Sequence, residues 1–129
     1  MVYGRREYGV EETMKPTPSL KPNHVVIQVM CAGLNPVDAK DVLGDKLPHS
    51  WKKTRAFVKH RMVEGSTIGF DFSGIVVQSN ENQYQVGDAV FGTMPPLCGT
   101  LSEYICAPLD QISNNPTKLS FAEAAALPL

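Results

Sequence analysis

The sequence predicts a mainly β fold with one or two short helices. Ten prolines and ten glycines divide the 129 residues into short segments, a spacing typical of chains with many turns. Several segments are rich in β-branched residues, whereas one near the carboxyl terminus is rich in alanine. Because 43% of the residues are hydrophobic and 19% are charged, the composition is that of a globular protein and excludes a disordered one.

The first predicted strand begins at Val25. A segment with three prolines, "KPTPSLKPNH" (residues 15–24), precedes it and predicts an extended loop. In the strand that follows, successive side chains point to opposite faces of a sheet. One face carries Val25, Ile27, Val29 and Cys31, and the other carries Val26, Gln28 and Met30.

A helix is predicted after this strand, over residues 35–44. Asn35 suits the N-cap position, and Pro36 suits the first helical position, where its missing N–H has no helical partner. Asp38 places a negative charge near the positive end of the helix dipole, and Gly44 can end the helix. Helix capping alone accounts for all four residue types.

A second strand region is predicted over residues 66–78. Gly69 and Gly74 interrupt it and mark places where the backbone bends or approaches another group closely. Asp71 and Ser73, a polar pair between the two glycines, are interpreted as satisfying backbone groups at this bend, in preference to a catalytic role.

The last predicted elements are two strands and a helix. A turn at Gly87 leads into a short strand over residues 89–91, and residues 100–108 are again strand-like. Ser120 and Glu123 have the spacing of a capping box and precede an alanine-rich run, which predicts the start of a helix.

The cysteines indicate the compartment. Cys31, Cys98 and Cys106 cannot all pair within one chain and form no C-x-x-C motif, so we predict a reducing compartment and buried thiols. No secretory leader is recognised, and no apolar run approaches the ~18 residues of a membrane helix. A cytoplasmic location is predicted, with a mitochondrial one as the alternative.

The charge pattern limits the partners. A net charge of -1 predicts no binding to nucleic acid or to membranes. Five of the twelve basic residues nevertheless lie within residues 52–61, with no acid among them. A surface for nucleic acid or acidic lipid is one interpretation of this segment. We prefer a loop or short helix whose apolar residues pack inward while its charges are solvated.

Five motifs stand in an order and spacing that resemble one protein family. They are "AGLNPVDAK", "GFDFSGIV", "VGDAVFG", "GTLSEY" and "LSFAEAAALP". On these motifs, residues 32–128 resemble the amino-terminal, GroES-like catalytic domain of the medium-chain dehydrogenases/reductases. The resemblance is to their zinc-independent quinone oxidoreductase branch.

This resemblance implies a GroES-like, partly open β-barrel over residues 1–119. Residues 120–129 are then expected to begin the helix that leads to a nucleotide-binding Rossmann domain, so that the sequence ends before that domain. No G-x-G-x-x-G turn occurs in the sequence, which agrees with a dinucleotide site outside it. A sheet edge left uncovered by such an end is expected to favour self-association.

The resemblance also implies NADPH as the cofactor, bound mainly by the missing domain, and no zinc. Zinc-dependent relatives carry a cysteine where this chain has Leu34 and Asn35, and a histidine where it has Phe70. Asn35 is implied to be catalytic and to contact the cofactor together with Asp38. From the residues themselves, Asp38 is interpreted as a helix-stabilising acid in preference to a proton donor. Phe70 is expected to border the substrate cleft.

The resemblance therefore predicts part of an NADPH-dependent oxidoreductase that reduces small quinones or activated enones and is inactive as this chain alone. Enoyl reductases of the superfamily use a tyrosine beyond the helix as proton donor, whereas Tyr3 and Tyr8 both precede it. A proton from solvent fits this sequence better. The alternative function is a non-catalytic GroES-like module that binds a protein partner.

Overall fold

The computed structural model describes residues 2–6, 9–38, 67–95 and 98–128. The strands in these ranges are β1 (Val2–Arg6), β2 (Gly9–Thr13), β3 (His24–Gly33), β4 (Asp71–Gln78), β5 (Ala89–Thr93), β6 (Tyr104–Pro108) and β7 (Ile112–Asn114). The described ranges also contain a 3₁₀ turn at Leu109–Gln111, a helix, α1 (Phe121–Ala125), and a helical turn at residues 36–38. The predicted mainly β fold with short helices is confirmed.

Five strands form one antiparallel sheet in the order β6-β3-β4-β5-β7. Strands β3 and β4 lie side by side at its centre, so each is paired along both edges. All four predicted strands are present. β3 corresponds to the strand predicted from Val25, β4 to residues 66–78, β5 to residues 89–91 and β6 to residues 100–108. β5 continues two residues further than predicted, to Thr93.

The sequence pattern does not predict the amino-terminal hairpin. β1 and β2 pair antiparallel with Val2 opposite Thr13, and a bridge between Val2 and Ser102 joins this hairpin to the loop before β6. Its two segments, "VYGRR" and "GVEET", lack the alternation of apolar residues that identifies the other strands. The hairpin is therefore recognised only from the backbone pairing of β1 with β2 in the structure.

One contiguous core is packed around the central strands. Its buried members are Val25, Ile27, Phe72, Val76, Tyr84, Val90, Met94, Ile105, Ala107 and Ile112. Tyr84 comes from the polar segment between β4 and β5, yet it is only 4% exposed. Its hydroxyl donates to the backbone oxygen of Ile112 at 3.0 Å, which satisfies the one polar group of a buried tyrosine.

The two glycines of the second strand region have different roles. Gly69 has a φ of +100°, a backbone conformation that favours glycine, and it bends the chain just before β4. Gly74 lies inside β4, where an added Cβ would stand 2.2 Å from the backbone oxygen of Gln28. The pairing of β3 with β4 also shifts register between Val29 and Cys31. Both the predicted bend and the predicted close approach are confirmed.

Helix α1 packs against β3, β4 and β5. The predicted capping box is confirmed, because Ser120 Oγ accepts the Glu123 N–H at 3.2 Å and Glu123 Oε2 accepts the Ser120 N–H at 3.0 Å. Ala124 and Ala125 are buried. Gly33 has no Cβ, which lets the backbone of Ala125 come close to the end of β3.

The prediction of three buried cysteines is wrong for Cys98, which is exposed. It lies in a turn, with its N–H donating to the oxygen of Pro95, so no sheet face covers its side chain. Cys31 and Cys106 are partly buried, and all three thiols are free. The basic residues 52–61 and the predicted helix beyond Asp38 lie outside the described residues. No helix in the described part of the chain is long and apolar enough to cross a membrane.

Candidate functional site

Asn35 lies two residues beyond the end of β3 and begins a helical turn. Pro36, Val37 and Asp38 have helical backbone, which agrees with the predicted helix start. The Asp38 N–H donates to the Asn35 backbone oxygen at 2.9 Å, and Asp38 Oδ2 accepts the Asn35 backbone N–H at 2.7 Å. Asp38 therefore holds the turn closed from both directions, as a helix-stabilising acid does.

The side chain of Asn35 does not cap this turn, contrary to the prediction. Its Nδ2 donates to Oδ2 of Asp71 at 2.7 Å. Asp71 is the first residue of β4, and the sheet register pairs it with Gly33. The pairing of β3 with β4 thus brings Asn35 and Asp71 together, and the Asp71 carboxylate engages the amide nitrogen of Asn35 in a charge-assisted hydrogen bond.

Asp71 does not satisfy a backbone group at a bend, so that interpretation is wrong for Asp71. It lies inside a strand, is 2% exposed, and accepts from a side chain. The interpretation holds in part for Ser73, whose Oγ donates to the backbone oxygen of Phe121 at 2.5 Å. Ser73 therefore fixes α1 on the sheet and is not part of the polar cluster around Asn35.

The two carboxyl groups beside Asn35 are both buried, with Asp38 4% and Asp71 2% exposed. Each uses Oδ2 for its bond to Asn35, while Oδ1 of each is buried without a hydrogen-bond partner. Burial raises the pKa of Asp38, and the nearby Asp71 charge raises it further, while the N–H groups of Asn35 and Gly69 oppose the rise. A buried pair of acids around one asparagine is costly, which marks this cluster as the candidate site.

The other predicted site residue is Phe70, which precedes Asp71 and is partly buried. Its backbone oxygen accepts the Met94 N–H at 2.7 Å, so the bend before β4 is tied to the end of β5. Within the described ranges, no group of three or more His, Cys, Asp or Glu side chains could hold a metal ion. The sequence signal for Asp71 was its place between two glycines, but its pairing with Asn35 depends on the sheet register.

Residues 21–117 match the alcohol dehydrogenase GroES-like domain family. The chain is 33% identical over 137 residues to the 2-methylene-furan-3-one reductase of Solanum lycopersicum, with 95% of this chain and 32% of that protein covered. It is 31% identical over 133 residues to the mitochondrial NAD(P)H oxidoreductase RTN4IP1 of Mus musculus, with 95% and 34% covered.

A solved structure has the same fold at similar identity. The quinone oxidoreductase from Coxiella burnetii matches with a TM-score of 0.76 and 34% identity, over 98% of this chain and 40% of that one. The chain spans about a third of the length of the curated relatives it matches.

Proposed function

Because the chain belongs to the alcohol dehydrogenase GroES-like domain family of the medium-chain dehydrogenases/reductases, we propose that it forms the substrate-facing domain of an oxidoreductase. This enzyme would use NADPH to reduce quinones or activated enones, without zinc. The names of the relatives support this proposal, since they include an NAD(P)H oxidoreductase, a reductase of a methylene-furanone and a quinone oxidoreductase.

One structural observation carries the proposal. The carboxamide of Asn35 is held by the buried Asp71, and the family resemblance implies that zinc-dependent members carry a cysteine where this chain has Leu34 and Asn35. The same resemblance implies that those members carry a histidine where this chain has Phe70. A carboxamide and a phenyl ring are not zinc ligands, whereas a partly exposed carboxamide on a rigid support suits hydrogen bonding to an organic ligand.

The proposed reaction transfers two electrons as a hydride, which the nicotinamide supplies when it is bound. One hydride and one proton convert a quinone to a hydroquinone, and the same two additions saturate the double bond of an enone. In this proposal Asn35 orients the ligands by hydrogen bonding, and Asp38 keeps the turn that carries Asn35 in place. Phe70 borders the cleft, and solvent supplies the proton.

The proposal assigns the dinucleotide site to a second domain. The sequence has no glycine-rich turn between a strand and a helix that could bind a pyrophosphate. We therefore propose that this domain is inactive without such a partner domain, and that its end beyond residue 119 is where the two would join. A cytoplasmic location remains the proposal, while the mitochondrial relative favours the alternative.

The test joins this domain to a dinucleotide-binding domain of a relative and measures NADPH oxidation. We expect turnover with a quinone or an activated enone, unchanged by a zinc chelator, and slower in Asn35→Ala. Asn114→Ala is the matched control, because Asn114 is exposed on the edge strand β7. Activity lost to the chelator would refute the zinc-free proposal, and no turnover with either acceptor class would leave the protein-binding module as the better interpretation.

A further inference from the structure

The two ends of the Asn35 carboxamide differ in their contacts. Its Nδ2 donates to Asp71, whereas no residue in the described part of the chain donates to its Oδ1. Buried polar atoms without a partner are Oδ1 of Asp38, Oδ1 of Asp71, Thr100 Oγ1 and Asn115 Oδ1 in the described chain. Asn35 Oδ1 is not among them, and Asn35 as a whole is only partly buried.

The orientation of this carboxamide is fixed by chemistry. A carboxylate only accepts hydrogen bonds, so the Asn35 atom 2.7 Å from Asp71 Oδ2 must be the nitrogen. Turning the group over would place Asn35 Oδ1 against a buried carboxylate oxygen, two acceptors with no hydrogen between them. The backbone of Asn35 is also fixed, because its N–H donates to the buried Asp38.

We propose that Asp71 is a positioning residue that turns the Asn35 oxygen toward the ligand, so that Asn35 binds a hydrogen-bond donor of the ligand. This inference rests on the proposed function, and it specifies what Asn35 recognises within that function. A free amide oxygen accepts from an N–H or an O–H and repels a carbonyl oxygen.

The proposed ligands therefore differ in whether they can donate a hydrogen bond to the Asn35 oxygen. An oxidised quinone offers only acceptors, whereas the carboxamide of a nicotinamide offers two N–H donors and a hydroquinone offers O–H donors. Asn35 therefore holds the donor-bearing ligand and does not polarise the carbonyl of the oxidised acceptor. Asp71 contributes by preventing the Asn35 carboxamide from adopting the opposite orientation.

The experiment uses two probes of which one has N–H donors and the other has none. Nicotinamide carries a free NH₂, whereas N,N-diethylnicotinamide keeps the ring and the carbonyl oxygen and has no N–H. Each is titrated into the ¹⁵N-labelled 129-residue chain while the Asn35 side-chain amide signals are followed by NMR. We expect nicotinamide to shift these signals and to bind about tenfold more tightly than the diethyl compound, the effect of one hydrogen bond.

Asp71→Asn tests the positioning role. An amide at residue 71 can accept or donate, so Asn35 can adopt both orientations and the preference for nicotinamide should fall to about twofold or less. Asp110→Asn, an exposed residue of the 3₁₀ turn, should keep the full preference. Retained chemical-shift dispersion in both variants checks that they fold.

Equal shifts from the two probes, no shift from nicotinamide, or an unchanged preference in Asp71→Asn would each overturn the inference. None of these outcomes depends on turnover. The proposed function fails separately, in the NADPH oxidation assay, and turnover of quinone by the joined protein together with no donor preference in the chain would refute only this inference.

Discussion

Asn35 Nδ2 donates to Asp71 Oδ2 across 2.7 Å, although 36 positions separate the two residues in the chain. The antiparallel pairing of β3 with β4 sets Gly33 opposite Asp71 and so fixes this contact. One side chain from the end of one central strand is thereby held by the first residue of its neighbour. The hydrogen bond to Asp71 therefore fixes the orientation of the Asn35 carboxamide before any ligand binds.

A double-mutant cycle should detect this contact as a coupling energy. The free energy of unfolding is measured for Asn35→Ala, Asp71→Ala and the double variant. A hydrogen bond to a charged group predicts a favourable coupling of about 1.5–3 kcal/mol. In a control cycle, Asp88→Ala takes the place of Asp71→Ala. Asp88 is partly buried and accepts the Gln85 N–H elsewhere, so its coupling with Asn35 should be near zero. Additive effects of Asn35 and Asp71 would show that their bond is absent in solution.

Asp38 should make stability depend on pH. Its pKa is raised from the ordinary 3.8 by burial and by the Asp71 charge, so the folded state holds this proton more tightly than the unfolded state does. The contribution of Asp38 to the free energy of unfolding is therefore complete below pH 3.8 and is lost as the pH rises through the pKa of the folded state.

Asp38→Asn removes this proton while leaving an oxygen that can accept the Asn35 N–H. The free energy of unfolding of the variant, relative to the natural chain, should therefore increase between acid and neutral pH in urea titrations. Asp110→Asn, at an exposed position, should show no such trend. A relative stability of Asp38→Asn that is constant or falls with pH would contradict the raised pKa.

Gly74→Ala should destabilise the sheet centre. An added Cβ would stand 2.2 Å from the Gln28 backbone oxygen and 2.7 Å from Ile27 Cγ2, so two central strands would have to move apart. Overpacking of this kind costs about 1–3 kcal/mol or more.

Gly87→Ala is the control for the glycine prediction. The added Cβ would meet nothing within 4 Å, and only the strain of a φ of +97° remains, at about 1 kcal/mol. The unfolding temperature of Gly74→Ala should therefore be lower than that of Gly87→Ala. The reverse order would mean that β3 and β4 are not paired in this register.

The thiols should react at different rates. Cys98 is exposed, whereas Cys31 and Cys106 are partly buried in strands. A maleimide added to the folded chain should modify Cys98 first, as read by peptide mass spectrometry, and Cys98→Ser should remove the fast phase. All three thiols should react alike in denaturant. Faster labelling of Cys31 would indicate that β3 is open to solvent at this residue.

Much of the fold was predictable because its central strands carry their own signals. Val25 begins a run of β-branched residues, and Ser120 with Glu123 spells out a capping box before α1. The hairpin β1-β2 was missed because its residues have no apolar alternation. Tyr84 was missed because a lone aromatic residue in a polar segment gives no periodic pattern, although it fills the core.

The candidate site was only half predictable. The local pattern predicts Asn35 and Asp38 at a helix start, the resemblance implies their role in the site, and their mutual hydrogen bonds are local. The partner of the Asn35 side chain depends on which residue of β4 lies opposite Gly33, and register is a property of two strands that neither segment contains alone. For the same reason the sequence suggested a cap for Asn35 and a bend role for Asp71.

The most direct test of the central claim is the rate of NADPH oxidation with a quinone acceptor, by this 129-residue chain alone and after it is joined to a dinucleotide-binding domain. Zinc-free turnover in the joined protein and none in the chain alone is the predicted result. Turnover by the chain alone, or a joined protein that works only with added zinc, would contradict the account.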